Sequence, residues 1–418
     1  MAASPRKNGL SAPSGALIEQ SLGRLESWLI SQGYKGVDPF DALRSPVLSR
    51  LRFNSQWLGV AWVQLFRRSP INLRGLFGIK PAYNAKGMGL FLASYIRKFR
   101  ITGSQEDRRR IDFFGDWLLE NRSKAFQEAC WGYNFDWPNR AFFAPAGTPN
   151  IVSTVFISHA LLDRYDLLGK DEDLVAARSA CDFLMKRLSS LLDSTGECFG
   201  YTPLDKRYVH NANLLGASLL ARVSRITGEE SLKARATRAA SFTVARQHAD
   251  GSWPYGINAA DAFVDNFHTG YNLEALMDYA RDAHDNSFDE NIMRGYRYWK
   301  EAFFTTDELP RYYSSKLYPI DIHAVSQTIL TFLRFSERDP EAVERAFRMA
   351  EWAIANMQEK SGYFDFRIGR YFRNRIAYIR WSQAWMFRAL TECCLFICDG
   401  VHSTAQTDRT DMKAEDAH

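Results

Sequence analysis

A chain of 418 residues is long enough for two or three domains, but its 14 prolines and 26 glycines are spread along it and leave no linker, so one large domain is the economical reading. The net charge of +5, with no long basic run, excludes nucleic acid as the main partner, and no stretch approaches the roughly 20 uninterrupted apolar residues of a membrane span. The six cysteines (130, 181, 198, 393, 394 and 398) form no CxxC pair and read as reduced core thiols.

The first 15 residues, rich in small residues, proline and Lys/Arg, lack the apolar run of a secretory signal and predict a disordered tail on a protein that stays on the cytoplasmic side. Residues 401–418 are polar and aperiodic and predict a second tail, leaving 16–400 as the folded domain. The segment from Leu17 to Arg68, with Trp57 and Trp62, is expected to supply a first outer helix and an extra amino-terminal element.

From Leu76 onward an aromatic, glycine-bearing loop followed by an apolar helix recurs six times, with a period of about 55 to 62 residues. The units begin at Leu76, Cys130, Cys198, Ser252, Arg311 and Gly362. Helices after the loops, such as NIVSTVFISHALL and ANLLGASLLARV, are apolar nearly all round, as inner helices packed on every side must be. Segments between units, such as 106–122, 172–192, 230–247 and 340–358, carry one apolar stripe and a charged face. The pattern predicts an all-α fold, an (α/α)6 toroid of six helical hairpins, with inner helices starting near residues 87, 149, 211, 266, 321 and 380. An open superhelix is the structural alternative, and it would need capped ends.

In a closed ring the loops gather at one mouth. His210, His268 and His323 recur 58 and 55 residues apart near inner-helix starts, as metal ligands or, on the simpler reading, as hydrogen-bonding or capping groups; no metal and no cofactor is expected. Asp136, Asp205, Asp261, Asp265, Asp321 and Asp365 recur in the same loops, where they would serve acid–base chemistry on a glycosidic bond or cap helices. Trp131, Tyr133, Trp137, Tyr201, Tyr255 and Tyr271 offer flat faces for sugar rings, or act as core wedges. Arg367, Arg370, Arg373, Arg375 and Arg380 fall within fourteen residues that contain no acid, and their guanidinium forks suit a carboxylate or phosphate on the ligand.

As a set, WGYNFDW, TPLDKRYVHNAN, DGSWPYG, DNFHTGYNLEAL, YPIDIH and RWSQAWM resemble the six-hairpin glycosidase superfamily, and within it a bacterial family associated with exopolysaccharide biosynthesis loci, over residues 40–398. VDNFHTGYNLEAL is similar to the Asp-bearing inner-helix start of unsaturated glucuronyl hydrolases, and RWSQAW to their RGQAW segment, with Trp-Ser standing where those have Gly. That resemblance implies an acid/base role for Asp265 and substrate-side roles for Arg380, Trp381, Gln383 and Trp385, with polysaccharide biosynthesis machinery as the partner. QHADGSW looks like the QW motif of terpene cyclases, but the chain has no DxDD acid motif.

The leading expectation is an enzyme acting on an anionic, uronic-acid-containing oligosaccharide or polysaccharide by hydrolysis, elimination or epimerisation. Asp265 and His268 would form its centre, assisted by Asp136, with Trp131, His210, Asn211, Tyr255, Tyr271, Asp321, His323, Arg380, Trp381 and Gln383 on the substrate side. A non-catalytic glycan-binding or scaffold protein is the alternative, and a zinc enzyme of the lanthionine-cyclase kind is a third.

Overall fold

The computed structural model describes residues 12–53, 55–138 and 143–415, with side chains to Asp399. In chain order its helices are α1 (Ala12–Ser31), α2 (Pro46–Leu51), α3 (Gln56–Arg68), α4 (Ala85–Thr102), α5 (Gln105–Glu120), α6 (Ile151–Leu168) and α7 (Asp171–Arg187). They continue with α8 (His210–Thr227), α9 (Glu230–Val244), α10 (Asn266–Ala283), α11 (Asp289–Ala302), α12 (Ile322–Arg334), α13 (Ala342–Met357) and α14 (Ala384–Glu415), the last preceded by a π-turn over Ile379–Gln383. Of the expected tails, residues 1–11 and 416–418 lie outside the described residues, and α14 carries helical backbone into the segment beyond residue 401.

Unbroken burial from Ala85 to Ile96 in α4, from His210 to Ser224 in α8 and from Ile322 to Leu333 in α12 follows from side chains that are small or apolar on every face. Such helices have no stable place except inside others. The six even-numbered helices from α4 to α14 pack each on the next, and α14 packs back on α4, so the ring is closed. The superhelical alternative is thereby excluded. Outer helices bury one stripe: Ile292, Gly295, Tyr296 and Trp299 of α11 stand three and four residues apart. α1 completes the outer layer by packing on α13 and α14. Gly103, Gly169 and Gly228 end α4, α6 and α8 in the left-handed region, with φ of 61, 66 and 76°, and reverse the chain into the next outer helix.

At the opposite end of the inner helices Asn84, Asn150, Asp265 and Asp321 cap the starts of α4, α6, α10 and α12 by accepting backbone N–H bonds. Six parallel helices thus direct their N-termini, the positive ends of their dipoles, at one mouth. Strands are few and short among the described residues. The one with a bearing on the mouth is a three-stranded antiparallel ladder that pairs Asp321 with Arg367 and Arg367 with Asn374.

The extra amino-terminal element, α2 and α3, has its own small core of Ala42, Leu43, Leu48, Val63, Phe66 and Ile79. It is pinned by a buried ion pair in which Arg74 Nε donates to Asp41 Oδ1 at 2.7 Å. One face of α3 overhangs the mouth.

The C-terminal ends of the inner helices surround a second, charged cavity of about 750 Å³, ringed by pairs such as Arg222–Asp163 (2.8 Å), Arg334–Asp278 (2.5 Å) and Arg97–Glu392. Its arginines complement the negative dipole ends. Glu274 lies at this end, accepting from Gln327 Nε2 (2.5 Å) and Thr331 Oγ1 (2.8 Å), and burial pushes its carboxyl up to about 7. A folded-state value above the ordinary 4.5 means that the stability Glu274 contributes is complete below that value and is lost as pH rises through 7. Glu274→Gln is therefore expected to gain on the wild type as pH is raised from about 5 to 8. Urea midpoints measured across that range check this; two parallel curves would refute it.

Candidate active site

The mouth holds a cavity of about 660 Å³. Its ring obeys one rule of phase. Counting the π-turn at Ile379 as the start of the last inner segment, the second residue of every inner helix lines it: Lys86, Val152, Asn211, Phe267, His323 and Arg380. The three histidines singled out from sequence fall at the first, third and second helical positions on this count, and one residue on a helix is about 100° of rotation. His210, the first residue of α8, turns instead toward α9, with Nδ1 3.4 Å from Thr243 Oγ1, and burial lowers its pKa to about 4. His323 faces the cavity. His268, the third residue of α10, lies on its wall. Among the described residues no three His, Cys, Asp or Glu side chains converge as a metal site.

Asp265 is the N-cap of α10 and is 2% exposed. One carboxylate oxygen accepts the His268 backbone N–H at 3.0 Å and the other lies 2.8 Å from His268 Nδ1. A carboxylate at that distance requires a proton on Nδ1, which leaves Nε2 as the nitrogen available to a ligand. The cap and the site carboxylate, weighed as alternatives for this residue, are one arrangement here. The imidazole is held between Phe267 and Tyr255, with ring centroids 4.0 and 4.5 Å away.

The floor is aromatic. Phe156, Tyr271 and Trp385 pack across the barrel axis with centroids 5.4–5.6 Å apart and close the mouth off from the charged cavity behind. Over them stands Lys86, 3% exposed, its Nζ 4.2 Å from the Phe156 centroid and 5.2 Å from that of Trp385. No carboxylate pairs with it among the described residues. Burial first, and the neighbouring Arg380 second, push its pKa well down. Beside it Tyr271 OH and His323 Nε2 share a hydrogen bond of 2.6 Å, and burial followed by the Lys86 charge keeps His323 neutral.

Arg380 lines the cavity already neutralised: Nε and Nη2 donate to the two oxygens of Asp38 at 2.7 and 2.9 Å. The arginine run contains no acid of its own, but the fold brings acids to it. Arg367 pairs with Asp321 at 2.5 Å, Arg373 with Asp365 at 3.3 Å and Arg375 with Glu359 at 3.2 Å. Of the five, only Arg370 has no acid partner among the described residues. The fold thus leaves fewer free guanidinium forks in the run than its lack of acids suggests, and the unpaired cations lining the mouth among the described residues are Lys86, Arg67 and Arg68, the last two from α3.

The remaining candidates divide. Asn211, Tyr255, Tyr271 and Trp381 line the cavity, and Asn211 Oδ1 has no partner. Asp321 does not; it lies beneath, capping α12 and accepting from Trp381 Nε1 (3.0 Å) and from Arg367. Asp136 does not line the cavity either, and braces its own loop by accepting from Ala146 N at 2.8 Å, although its neighbours Phe135 and Trp137 are on the rim. Trp131 is wholly buried, donating to the Leu118 carbonyl (2.9 Å), and Gln383 clamps the backbone of Phe364 through both its amide atoms (2.8 and 2.7 Å). Lys86, Arg67 and Asp38 went unrecognised in the sequence. The repeat did hold a signal for Lys86, the one charged residue at the start of α4, in the phase of His323.

No family model matches the chain, and no curated protein matches it in sequence. Its likeness is to solved structures. Cellobiose 2-epimerase from Bacillus thermoamylovorans B4167 superposes with a TM-score of 0.60 at 11% identity, over 74% of this chain and 87% of the other. The fold is the (α/α)6 toroid. The GH76 alpha-mannanase BT2949 of Bacteroides thetaiotaomicron gives 0.58 at 10% identity, over 76% and 88%, and an unsaturated glucuronyl hydrolase specific for heparin gives 0.53 at 11%, over 74% and 85%. Identities this low carry the fold and none of the chemistry.

Proposed function

We propose that this protein is a carbohydrate-active enzyme in which His268, oriented by Asp265, transfers a proton at a sugar bound in the mouth. The observation that carries the reading is the 2.8 Å contact between Asp265 Oδ2 and His268 Nδ1 at the cavity wall, which fixes the imidazole and turns one nitrogen outward. Tyr133, Phe135, Trp137 and Tyr255 offer planar faces to sugar C–H groups, and Asn211 Oδ1 a free acceptor for a hydroxyl. The three solved toroids named above are, by name, enzymes of saccharides.

Among hydrolysis, elimination and epimerisation, the geometry favours the two that move a carbon-bound proton. Hydrolysis by the usual route needs two carboxyls facing the bond. The carboxylates lining the mouth are Asp261 and Asp265; Arg207 holds the first by two contacts of 3.1 and 2.5 Å, and His268 occupies both oxygens of the second. Proton abstraction beside a uronate carboxylate needs a base, a group to return or accept the proton, and positive charge for the electrons left behind. His268, the Tyr271–His323 pair and Lys86 are at hand for the proton transfers, and Arg67 and Arg68 bring positive charge to the same cavity. A uronic-acid-containing glycan is accordingly the substrate we propose, and a place in cytoplasmic polysaccharide biosynthesis rests on the sequence resemblance alone. No helix among the described residues is long and apolar enough to cross a membrane.

The test is incubation in D2O with a panel of neutral and uronate-containing oligosaccharides. Deuterium at carbon, or an unsaturated product absorbing in the ultraviolet, is expected from the uronates. New reducing ends with neither deuterium at carbon nor unsaturation would favour hydrolysis, and binding without turnover anywhere in the panel would make this a glycan-binding protein.

A further inference from the structure

Beyond Tyr312 and Tyr313 the mouth continues into a second chamber of about 570 Å³. The two share Gln64, Arg67, Arg68 and both tyrosines as a common wall, so a ligand long enough to leave one enters the other. What distinguishes the second chamber is its charge: Arg67, Arg68, Lys316, Arg367 and Arg370 line it, and no carboxylate does.

Four of those five cations are uncompensated. Arg367 is held by Asp321, whereas Arg67, half-buried, and Arg68, Lys316 and Arg370, exposed, have no ion-pair partner among the described residues. Arg67 is the telling one. Its Nε is buried without a hydrogen-bond partner, its guanidinium is desolvated, and the like charge of Arg367 lies close by. Arg367 and the Asp321 that holds it both act on Arg67, and the fork of Arg67, its Nε unpartnered, suits a further carboxylate. Tyr312, Tyr313 and Tyr318 add aromatic faces at the same place, with Lys316 Nζ 5.6 Å from the Tyr313 ring.

We infer that this chamber receives a carboxylate-bearing sugar residue next to the one over His268, so that the ligand is an acidic oligosaccharide spanning both chambers across the Tyr312–Tyr313 wall. The inference rests on the carbohydrate reading of the mouth and adds to it a second acidic position: besides the uronate over His268, the next sugar carries a carboxylate held by α3 and the Lys316 and Arg370 loops, not by the ion-paired Arg380.

Calorimetric titration with glucuronate-containing di- to tetrasaccharides, and with the same series after carboxyl reduction, tests it. Wild type is expected to bind the acidic series roughly tenfold to a hundredfold more tightly, the range for hydrogen bonds to charged groups, and to lose that margin as salt is raised. In Arg67→Gln/Lys316→Gln the ratio should approach one. Arg370→Gln, on an exposed turn where folding is not at stake, should lower it independently, and circular dichroism checks both variants. Equal binding of the two series, binding of neither, or a ratio the variants do not move overturns the proposal. Competition by inorganic phosphate as strong as by the acidic sugars would reassign the chamber to a phosphate, which also overturns it. Turnover of neutral sugars with no acidic preference would remove this inference and leave the His268 reading standing.

Discussion

Replacing His268 with Gln is expected to lower turnover by about 10²–10⁴-fold, the range for losing a general acid or base, with little change in stability or ligand affinity. Glutamine keeps a polar atom near the Asp265 carboxylate and leaves the α10 cap intact, because the cap is made by the backbone N–H of residue 268 and not by its side chain. What disappears is the ring nitrogen that changes protonation. Asp265→Asn separates the two tasks of the carboxylate. An asparagine caps a helix nearly as well, but to cap with its oxygen it must turn an N–H toward Nδ1, which disfavours the Nδ1–H tautomer and takes Nε2 out of its role. Both variants should therefore fold and bind while turning over slowly, Asp265→Asn through its effect on His268. The measurement is kcat on whichever sugar of the panel reacts, with the dissociation constant and circular dichroism alongside. Near-normal kcat in His268→Gln would refute the assignment and return Asp265 to the status of a helix cap.

The architecture was legible in the sequence because a toroid repeats. Inner helices buried on every side cannot hide their composition, and the expected starts at 87, 149, 211, 266 and 321 fall within two residues of the observed Ala85, Ile151, His210, Asn266 and Ile322. The sixth, expected at 380, begins one residue earlier as a π-turn. Loop alignment was the wrong tool for the site, since a loop fixes where a helix starts only to a residue or two and each residue is worth about 100° of rotation. Hence His210 was grouped with His268 and His323 although it faces the outer layer. Charge was misread for a different reason. Asp38 and Asp321, which neutralise Arg380 and Arg367, lie 342 and 46 residues from their partners, where a window on the sequence cannot pair them; Asp365, eight residues from Arg373, stands just outside the run. The free cations Arg67 and Arg68 come from the least repetitive part of the chain, α3, which no pattern tied to the mouth.

Arg380→Leu is expected to destabilise the protein by about 3–5 kcal/mol, the cost of stranding one partner of a buried ion pair. Arg380 and Asp38 have side chains 4% and 5% exposed and meet through two parallel contacts, and they join the last inner segment to the loop after α1 at the point where Ile379 N also donates to Val37 O at 3.0 Å. Without the guanidinium, Asp38 keeps one backbone N–H, from Phe40 at 3.1 Å, and no counter-charge of its own. The cation–π contact with Tyr133, 4.8 Å to the ring centroid, is lost as well, and with it one wall of the mouth. Because the penalty lies in an uncompensated charge and not in lost volume, adding Asp38→Asn to the leucine variant should restore part of the stability, whereas two independent packing defects would add. Equilibrium urea unfolding of the wild type, both single variants and the double variant measures the coupling. A loss below 1 kcal/mol in Arg380→Leu, or strict additivity in the double variant, would mean that the ring is closed by its apolar contacts alone.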